Sequence, residues 1–384
     1  MEIAINLVAF IPGTMGGCET YLRNLLRELQ RVDAVNRYRL LCDRHYRQEL
    51  ELNNPRFTVV PCNYTRPSPK WFVRGVLRNA VKIDILKPVF QRMQVDLIHH
   101  PFSFMNPLHA KVPSVLTFND MQHEYFPELF SAYELKARAQ FYRPSAELAT
   151  RIIAISRHAK SCLVEKYQTD PEKIDVIYNG YSQAYRILDE PGGLEKIRSK
   201  HELHRPFMYY PAATWPHKNH KTLLTAFRLL KDRHRFDGQL VLTGIAMKAH
   251  GDILKEIARL GLEDSVKVLG YLPYEELPCL YNLARIMVFP SLFEGFGMPL
   301  VEAMACGCPV ACSDVTSIPE VVGDAGILFD PRSPEDMAAK IWSLWNDDAM
   351  RRVLAGRGLE RVKLFSWEST ARETVKIYEK VASR

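Results

Sequence analysis

The chain has 384 residues, more than one ordinary core holds and enough for two domains of about 150–200 residues each. Apolar residues make up 47%, charged residues 25% and aromatic residues 10%, which excludes a disordered or fibrous chain. Fifty-one Lys and Arg against 44 Asp and Glu leave a formal charge of +7, enough to favour anionic ligands or an anionic membrane face and too little for a nucleic-acid binder.

No stretch approaches the ~18 consecutive apolar residues that span a bilayer. Met1–Val8 lacks a basic leader and a small-residue cleavage site and reads as a first strand, so a cytoplasmic protein is expected. Eight cysteines show no paired framework. Cys306, Cys308 and Cys312 lack zinc spacing and Pro309 interrupts them, so reduced, packed thiols and no metal are expected.

Strand-like runs alternate with amphipathic helical lengths from end to end, the pattern of parallel α/β layers. In the first half the strands are Ile3–Phe10, Tyr38–Cys42, Phe57–Pro61, Leu97–His99, Ser114–Phe118, Arg151–Ile155 and Ile174–Ile177. Helices fall over Thr20–Arg31, Tyr133–Ala149 and Arg157–Tyr167. The alternation restarts with Phe207–Tyr210, Leu240–Thr243, Val266–Leu269, Ile286–Phe289 and Pro309–Cys312, and after about Ser333 the chain is helical without new strands. The expected fold class is therefore α/β, two Rossmann-like doubly wound domains facing across a cleft. One spans 1–180 with a returning helix 366–384, the other 190–365. Ligands of such sheets bind at the carboxyl ends of the strands.

Six segments carry chemistry. Pro12–Thr20 follows the first strand as a glycine-rich turn, whose Gly16 and Gly17 let a ligand approach backbone N–H groups. It lacks the G-x-G-x-x-G spacing of a dinucleotide fingerprint, which argues against a nicotinamide dehydrogenase. Arg66–Arg92 holds seven basic residues and one acid, with Arg66, Lys70, Arg74, Arg78 and Lys82 four residues apart and Trp71, Phe72, Val76 and Leu77 between them. Such a segment suits an anionic lipid interface; the competing reading is a surface helix with its apolar side packed and its charged side in water. Leu116–Tyr125 places Asn119 and His123 beside a strand end, and His99-His100 end the strand before it. Asn119 is a hydrogen-bonding group and not a base.

In Tyr209–Lys221 a strand runs into a basic turn where Lys218, flanked by His217 and Asn219, suits a diphosphate beside a helix N-terminus. Gly270-Tyr271-Leu272 follows another strand. Finally, Phe289–Val310 reads strand, turn, helix. Glu294 stands in the turn, Gly295-Phe296-Gly297 brings the backbone close to a ligand, and Met298-Pro299 opens the helix. Glu302 comes eight residues after Glu294, so the two carboxylates face one elongated ligand at separate points.

Glu294 to Glu302, with Gly-Phe-Gly between, resembles the E-x7-E motif of retaining GT-B glycosyltransferases of family 4, and Ser317–Gly326 is similar to the segment that follows it there. The resemblance covers nearly the whole chain. It implies that Glu294 holds hydroxyls of a donor sugar, that Glu302 holds the nucleotide ribose, and that N–H groups around Phe296–Met298 contact sugar or phosphate. It further implies that Lys218 and Gly16-Gly17 meet the diphosphate, and that Tyr271 and Leu272 line the nucleobase pocket. Two departures stand out. Ala212-Ala213 occupy the place of a common phosphate-binding Arg, leaving His217 or the first domain to compensate, and Asn119 stands where many relatives carry His, with His123 as a substitute.

The reading is a retaining, metal-independent hexosyltransferase with mannose as the leading donor sugar. It uses a GDP- or UDP-linked nucleotide-sugar as substrate, no cofactor, and a saccharide or lipid-linked saccharide acceptor in surface polysaccharide or O-antigen assembly. Glu294, Lys218 and Asn119 are its catalytic candidates. Gly16, Gly17, His217, Asn219, Tyr271, Leu272, Gly295, Phe296, Gly297, Met298 and Glu302 are its donor-binding candidates. No nucleic acid is expected, and an anionic membrane surface is expected to meet 66–92. A catalytically silent sugar-nucleotide-binding or scaffold member of the same fold is the alternative.

Overall fold

The computed structural model describes residues 1–62, 68–80, 83–109, 111–234 and 236–383. The chain divides into two compact units, Met1–Gly180 with Ser366–Arg384, and Tyr181–Phe365. Segment 181–189, outside both expected domain ranges, belongs to the second unit. There the Leu188 N–H donates to Asn282 Oδ1 at 3.0 Å and Asn282 Nδ2 donates to the Arg186 carbonyl at 2.9 Å.

The first unit holds strands β1 (Glu2–Asn6), β2 (Arg37–Cys42), β3 (Phe57–Pro61), β4 (Leu97–His100), β5 (Ser114–Phe118), β6 (Arg151–Ala154) and β7 (Ile174–Val176). They form one parallel sheet in the order β3-β2-β1-β4-β5-β6-β7. Burial on both faces explains why β4, β5 and β6 are buried at every residue rather than in alternation. β1 stops at Asn6, short of the expected Phe10, because Asn6 Oδ1 accepts the Val8 N–H at 3.2 Å and turns the backbone out of the ladder. Helices α1 (Gly17–Val32), α2 (Pro69–Ala80), α3 (Lys87–Gln91), α4 (Gln122–Tyr125), α5 (Ala132–Leu148) and α6 (Arg157–Tyr167) surround it. α1 buries Tyr21, Leu22, Leu25, Leu26 and Leu29, a stripe of helical period.

α2 departs from the reading in which its apolar side packs and its charged side stands in water. Arg74, read as part of a solvated basic stripe, is only 4% exposed and points inward, while Phe72 on the other side is 66% exposed. The cause is Asp84: Arg74 Nε and Nη2 donate to its two oxygens at 2.7 and 2.6 Å, and Nη2 also reaches Asn106 Oδ1. A bidentate pair of this kind outweighs the burial of a few aliphatic carbons and turns the helix over. Arg78 lies over the Phe141 ring at 5.1 Å. Arg66 and Lys82 lie outside the described residues.

The second unit repeats the plan with β8 (Phe207–Pro211), β9 (Gln239–Thr243), β10 (Val266–Gly270), β11 (Ile286–Phe289), β12 (Val310–Ser313) and β13 (Gly326–Phe329), ordered β10-β9-β8-β11-β12-β13 and again parallel. β13 is a strand the sequence pattern did not reveal. Its helices are α7 (Pro191–Lys200), α8 (His220–His234), α9 (His250–Arg259), α10 (Leu277–Leu283), α11 (Met298–Ala305), α12 (Ile318–Val322), α13 (Pro334–Asn346) and α14 (Asp348–Arg361).

The last helix, α15 (Trp367–Ala382), returns to the first unit and packs along α1. Its Tyr378 hydroxyl meets His99 Nδ1 at 2.7 Å, His99 Nε2 meets Thr117 Oγ1 at 2.8 Å, and Thr117 Oγ1 meets the Tyr21 hydroxyl at 2.9 Å. The Thr370 hydroxyl donates to the Tyr178 carbonyl at 2.7 Å. Gly180 closes the approach, since a Cβ there would lie 2.1 Å from the Trp367 nitrogen. All eight cysteines are free thiols. Among the described residues, no helix is long and apolar enough to cross a membrane.

Candidate active site

In each sheet the strand order reverses beside the first strand, between β1 and β4 in one unit and between β8 and β11 in the other. A doubly wound sheet is open to a ligand at that point, outside the carboxyl ends of the two strands. In the second unit the loops leaving β8 and β11 are the ones that carry Lys218 and Glu294.

These two side chains form an ion pair, Lys218 Nζ to Glu294 Oε1 at 2.6 Å, with exposures of 19% and 12%. Hydrogen bonds from neighbouring loops fix both ends. The Tyr210 hydroxyl donates to the Lys218 carbonyl at 2.7 Å, and the Leu292 N–H donates to the His217 carbonyl at 2.8 Å, joining the two loops directly. The Glu294 N–H donates to Thr316 Oγ1 at 3.3 Å. The Ser317 hydroxyl contacts the Glu294 and Phe296 carbonyls, each at 3.0 Å. Asn219, in the left-handed region at φ 61°, spends its amide on the Pro290 and Pro331 carbonyls at 3.0 and 2.7 Å. It thereby holds the loops together.

Gly297, at φ 102°, precedes α11, a conformation other residues adopt only with strain. The Phe296 ring is buried against Phe365 at 5.5 Å, which leaves the backbone of Gly295, Gly297 and Met298 as what this turn offers a ligand. One turn into α11, Glu302 is half-buried, and burial pushes its carboxyl up to about 7. The Tyr281 hydroxyl donates to Glu302 Oε2 at 3.0 Å and opposes that rise, and the Tyr185 ring packs edge-on to Tyr281 at 5.7 Å. Neither tyrosine belongs to a recognisable motif, and sequence reasoning missed them along with Thr316.

His217 sits in the turn Pro216–Lys218 that follows β8. Burial, with Lys218 beside it, pushes its imidazole down to about 3, and the same two causes hold His220 near 4. At the end of β10, two strands from β8, Tyr271 is 74% exposed while Leu272 is buried.

In the first unit, Gly16 caps α1 at φ 50° and Gly17 is the first helical residue. The Gly13 N–H donates to Glu19 Oε2 at 2.7 Å, which shapes the loop. Asn119 lies just past β5, hydrogen-bonded to the segment that follows β4. Its Nδ2 faces the Pro101 carbonyl and Ser103 Oγ, both at 3.3 Å, and its N–H donates to Ser103 Oγ at 2.9 Å. His123 is buried edge-on to Tyr142 at 4.7 Å and pushed down to about 4 by burial, then by Arg138, so it is packed as a structural side chain. His99 and His100 are buried inside the unit; burial holds His99 near 3 and His100 well below its ordinary value.

Two family models match the chain. "Glyco_transf_4: Glycosyltransferase Family 4" covers residues 15–184 and "Glycosyl transferases group 1" covers residues 194–361. The chain is similar to the O-antigen chain mannosyltransferase B of Escherichia coli, at 34% identity over 286 residues, 74% of each chain. It is also similar to the O-antigen chain mannosyltransferase RfbU of Salmonella typhimurium, at 29% identity covering 80% of each. Among solved structures, HepE of Anabaena in complex with UDP and glucose superposes with a TM-score of 0.76 over 99% of both chains at 20% identity. That likeness shows the fold to be GT-B. The chain belongs to the glycosyltransferases of group 1, family 4, and it is a glycosyltransferase.

Proposed function

We propose that the chain moves a hexosyl group, mannosyl first among the candidates, from a GDP- or UDP-linked sugar to a hydroxyl of a saccharide or lipid-linked saccharide. The transfer retains anomeric configuration, needs no metal ion and serves surface polysaccharide or O-antigen assembly on the cytoplasmic side. The Lys218–Glu294 pair at the β8/β11 reversal carries this reading, and the names of the E. coli and Salmonella relatives support the sugar and the pathway.

An arriving diphosphate competes for Lys218 and releases Glu294 to accept hydroxyls of the sugar. Lys218 and the first-turn N–H groups of α11 then stabilise the charge that grows on the departing diphosphate. The acceptor oxygen bonds to the anomeric carbon as its bond to the phosphate oxygen breaks. That oxygen takes the acceptor's proton, so no protein base is required. Incubating the protein with GDP-mannose or UDP-glucose and a mannose-terminated acceptor tests the reading, with the product's anomer assigned by NMR. A retained anomer that disappears in Glu294→Ala supports it. Donor binding without turnover of either donor favours the silent alternative.

The acceptor's lipid points to a surface as well. α2 turns Trp71, Phe72, Val73 and Val76 outward, with Ile83 and Val89 exposed nearby and Lys70, Lys87 and Arg92 exposed around them. Apolar side chains rimmed by cations match an anionic bilayer, and we assign that partner to this face. Flotation with phosphatidylglycerol vesicles is expected for the wild type and is expected to fall in Phe72→Glu/Val76→Glu. No flotation of the wild type, or equal flotation of both proteins, removes the assignment.

A further inference from the structure

Glu302 lies among aromatic hydroxyls drawn from four separate elements. Tyr281 comes from α10, Tyr185 from the segment after Gly180, Tyr209 from β8 and Tyr274 from the turn before α10. The rings pack edge to face, Tyr185 against Tyr274 at 5.5 Å and against Tyr281 at 5.7 Å, and Tyr281 against Tyr209 at 5.1 Å. Among the described residues, the hydroxyl with a hydrogen bond to the carboxylate is that of Tyr281, which donates to Oε2 at 3.0 Å. Tyr209 instead meets Thr243 Oγ1 at 2.8 Å.

Edge-to-face packing alone would be served as well by phenylalanine. A buried tyrosine hydroxyl aimed at a half-buried carboxylate does something else: it supplies a hydrogen bond that water supplies to an exposed one. A carboxylate that is to accept the two hydroxyls of a ribose must be ionised and held in one orientation, because its protonated form offers a donor where an acceptor is wanted.

We propose that Tyr281 is a positioning residue for the donor: its hydroxyl keeps the Glu302 carboxylate charged and oriented to accept the nucleotide's ribose. This rests on the donor-site reading above and deepens it. Among the described residues, the titratable groups around Glu302 are Tyr281, Tyr185, Tyr209 and the Cys306 thiol just past the end of its helix, and none of the four is a cation. Its ionisation near neutral pH is therefore set by burial on one side and the Tyr281 donor on the other.

The test measures the donor KM and kcat of the full chain with GDP-mannose and UDP-glucose across roughly pH 5.5 to 9, the range around the ordinary carboxylate's raised value. A nucleotide-sugar carries no phosphate that titrates here. His217 and His220, held near 3 and 4, do not titrate here either. In the wild type, KM for the accepted donor is expected to fall as pH rises through about 7. Tyr281→Phe keeps the ring and is expected to move that midpoint up by about one pH unit while kcat changes less than twofold. Tyr209→Phe, which removes a hydroxyl from the same cluster but not from Glu302, is expected to leave the midpoint in place.

An unmoved midpoint in Tyr281→Phe overturns the proposal, and so does an equal shift in Tyr209→Phe. Glu302→Gln separates the two levels. If it raises KM and abolishes the pH step while Tyr281→Phe does nothing, only the positioning role falls. If it binds donor as the wild type does, with the same pH profile, the donor-site reading itself falls.

Discussion

Lys218 and Glu294 are each other's counter-ions, so removing either leaves a half-buried charge unpaired. Glu294→Ala is expected to lower kcat on the order of 100-fold or more, the scale for losing a group that acts in the transition state. Its fold should stay intact, with a modest fall in melting temperature from the unpaired Lys218. Lys218→Ala is expected to act chiefly on donor affinity, by about tenfold. Normal kcat and KM in both variants would remove these residues from the site. Glu302 has a signature of its own in stability. Its carboxyl is raised from 4.5 to about 7, so the folded protein binds a proton that the unfolded chain has already released, and stability falls as pH rises between those values. Glu302→Gln is thus expected to raise the melting temperature at pH 8 and to change it little at pH 5. Equal shifts at the two pH values would contradict the assignment. The sequence disclosed the acidic pair and the lysine because they lie in short, spaced motifs. It did not disclose Tyr185, Tyr209 and Tyr281, which come together only after three elements fold, nor that His217 is held neutral.

Single elements show where periodicity stops being informative. The strands of both sheets were readable as apolar runs between turn residues, apart from β13. That edge strand has four residues and opens with Gly326, so its apolar run, Ile327-Leu328-Phe329, is only three residues long. α2 had the right period and the wrong side inward. A helical stripe identifies two faces, and here the choice between them was made by Asp84, ten residues beyond Arg74 and part of no pattern. Asp84→Ala leaves the Arg74 guanidinium buried without its carboxylate, and Arg74→Met leaves the Asp84 carboxylate without its cation, so each is expected to cost about 3–5 kcal/mol in urea unfolding. The double variant is expected to cost less than the two losses added, and fully additive losses would show that the pair itself does not hold the helix. Gly244 shows the same dependence on tertiary context. At φ 135° its Cβ would lie 2.4 Å from the Ala212 carbonyl oxygen, on the loop that leads to Lys218.

At the scale of the whole chain, the two units have separate cores and are expected to unfold separately. A nucleotide-sugar bound by the second unit should raise that unit's transition and leave the other in place. Tyr378→Ala, which empties a fully buried site against His99 on α15, should lower the first unit's transition by about 3–5 kcal/mol without changing the ligand response of the second. Calorimetry with and without donor distinguishes these outcomes, and a single shared transition moved by both perturbations would show that the units do not unfold independently.

The return of α15 also constrains how the protein is made. A ribosome releases β1 to β7 first, but the surface they offer between α1 and the sheet has no cover until Trp367–Ala382 emerges, after all of Tyr181–Phe365. At ~5–20 residues per second that interval is about 10–40 s. Through it the nascent amino-terminal half carries an unfilled groove lined by Tyr21, His99 and Thr117, a natural client for a chaperone. Stop codons that delete only the final helix would therefore damage the half of the protein translated first.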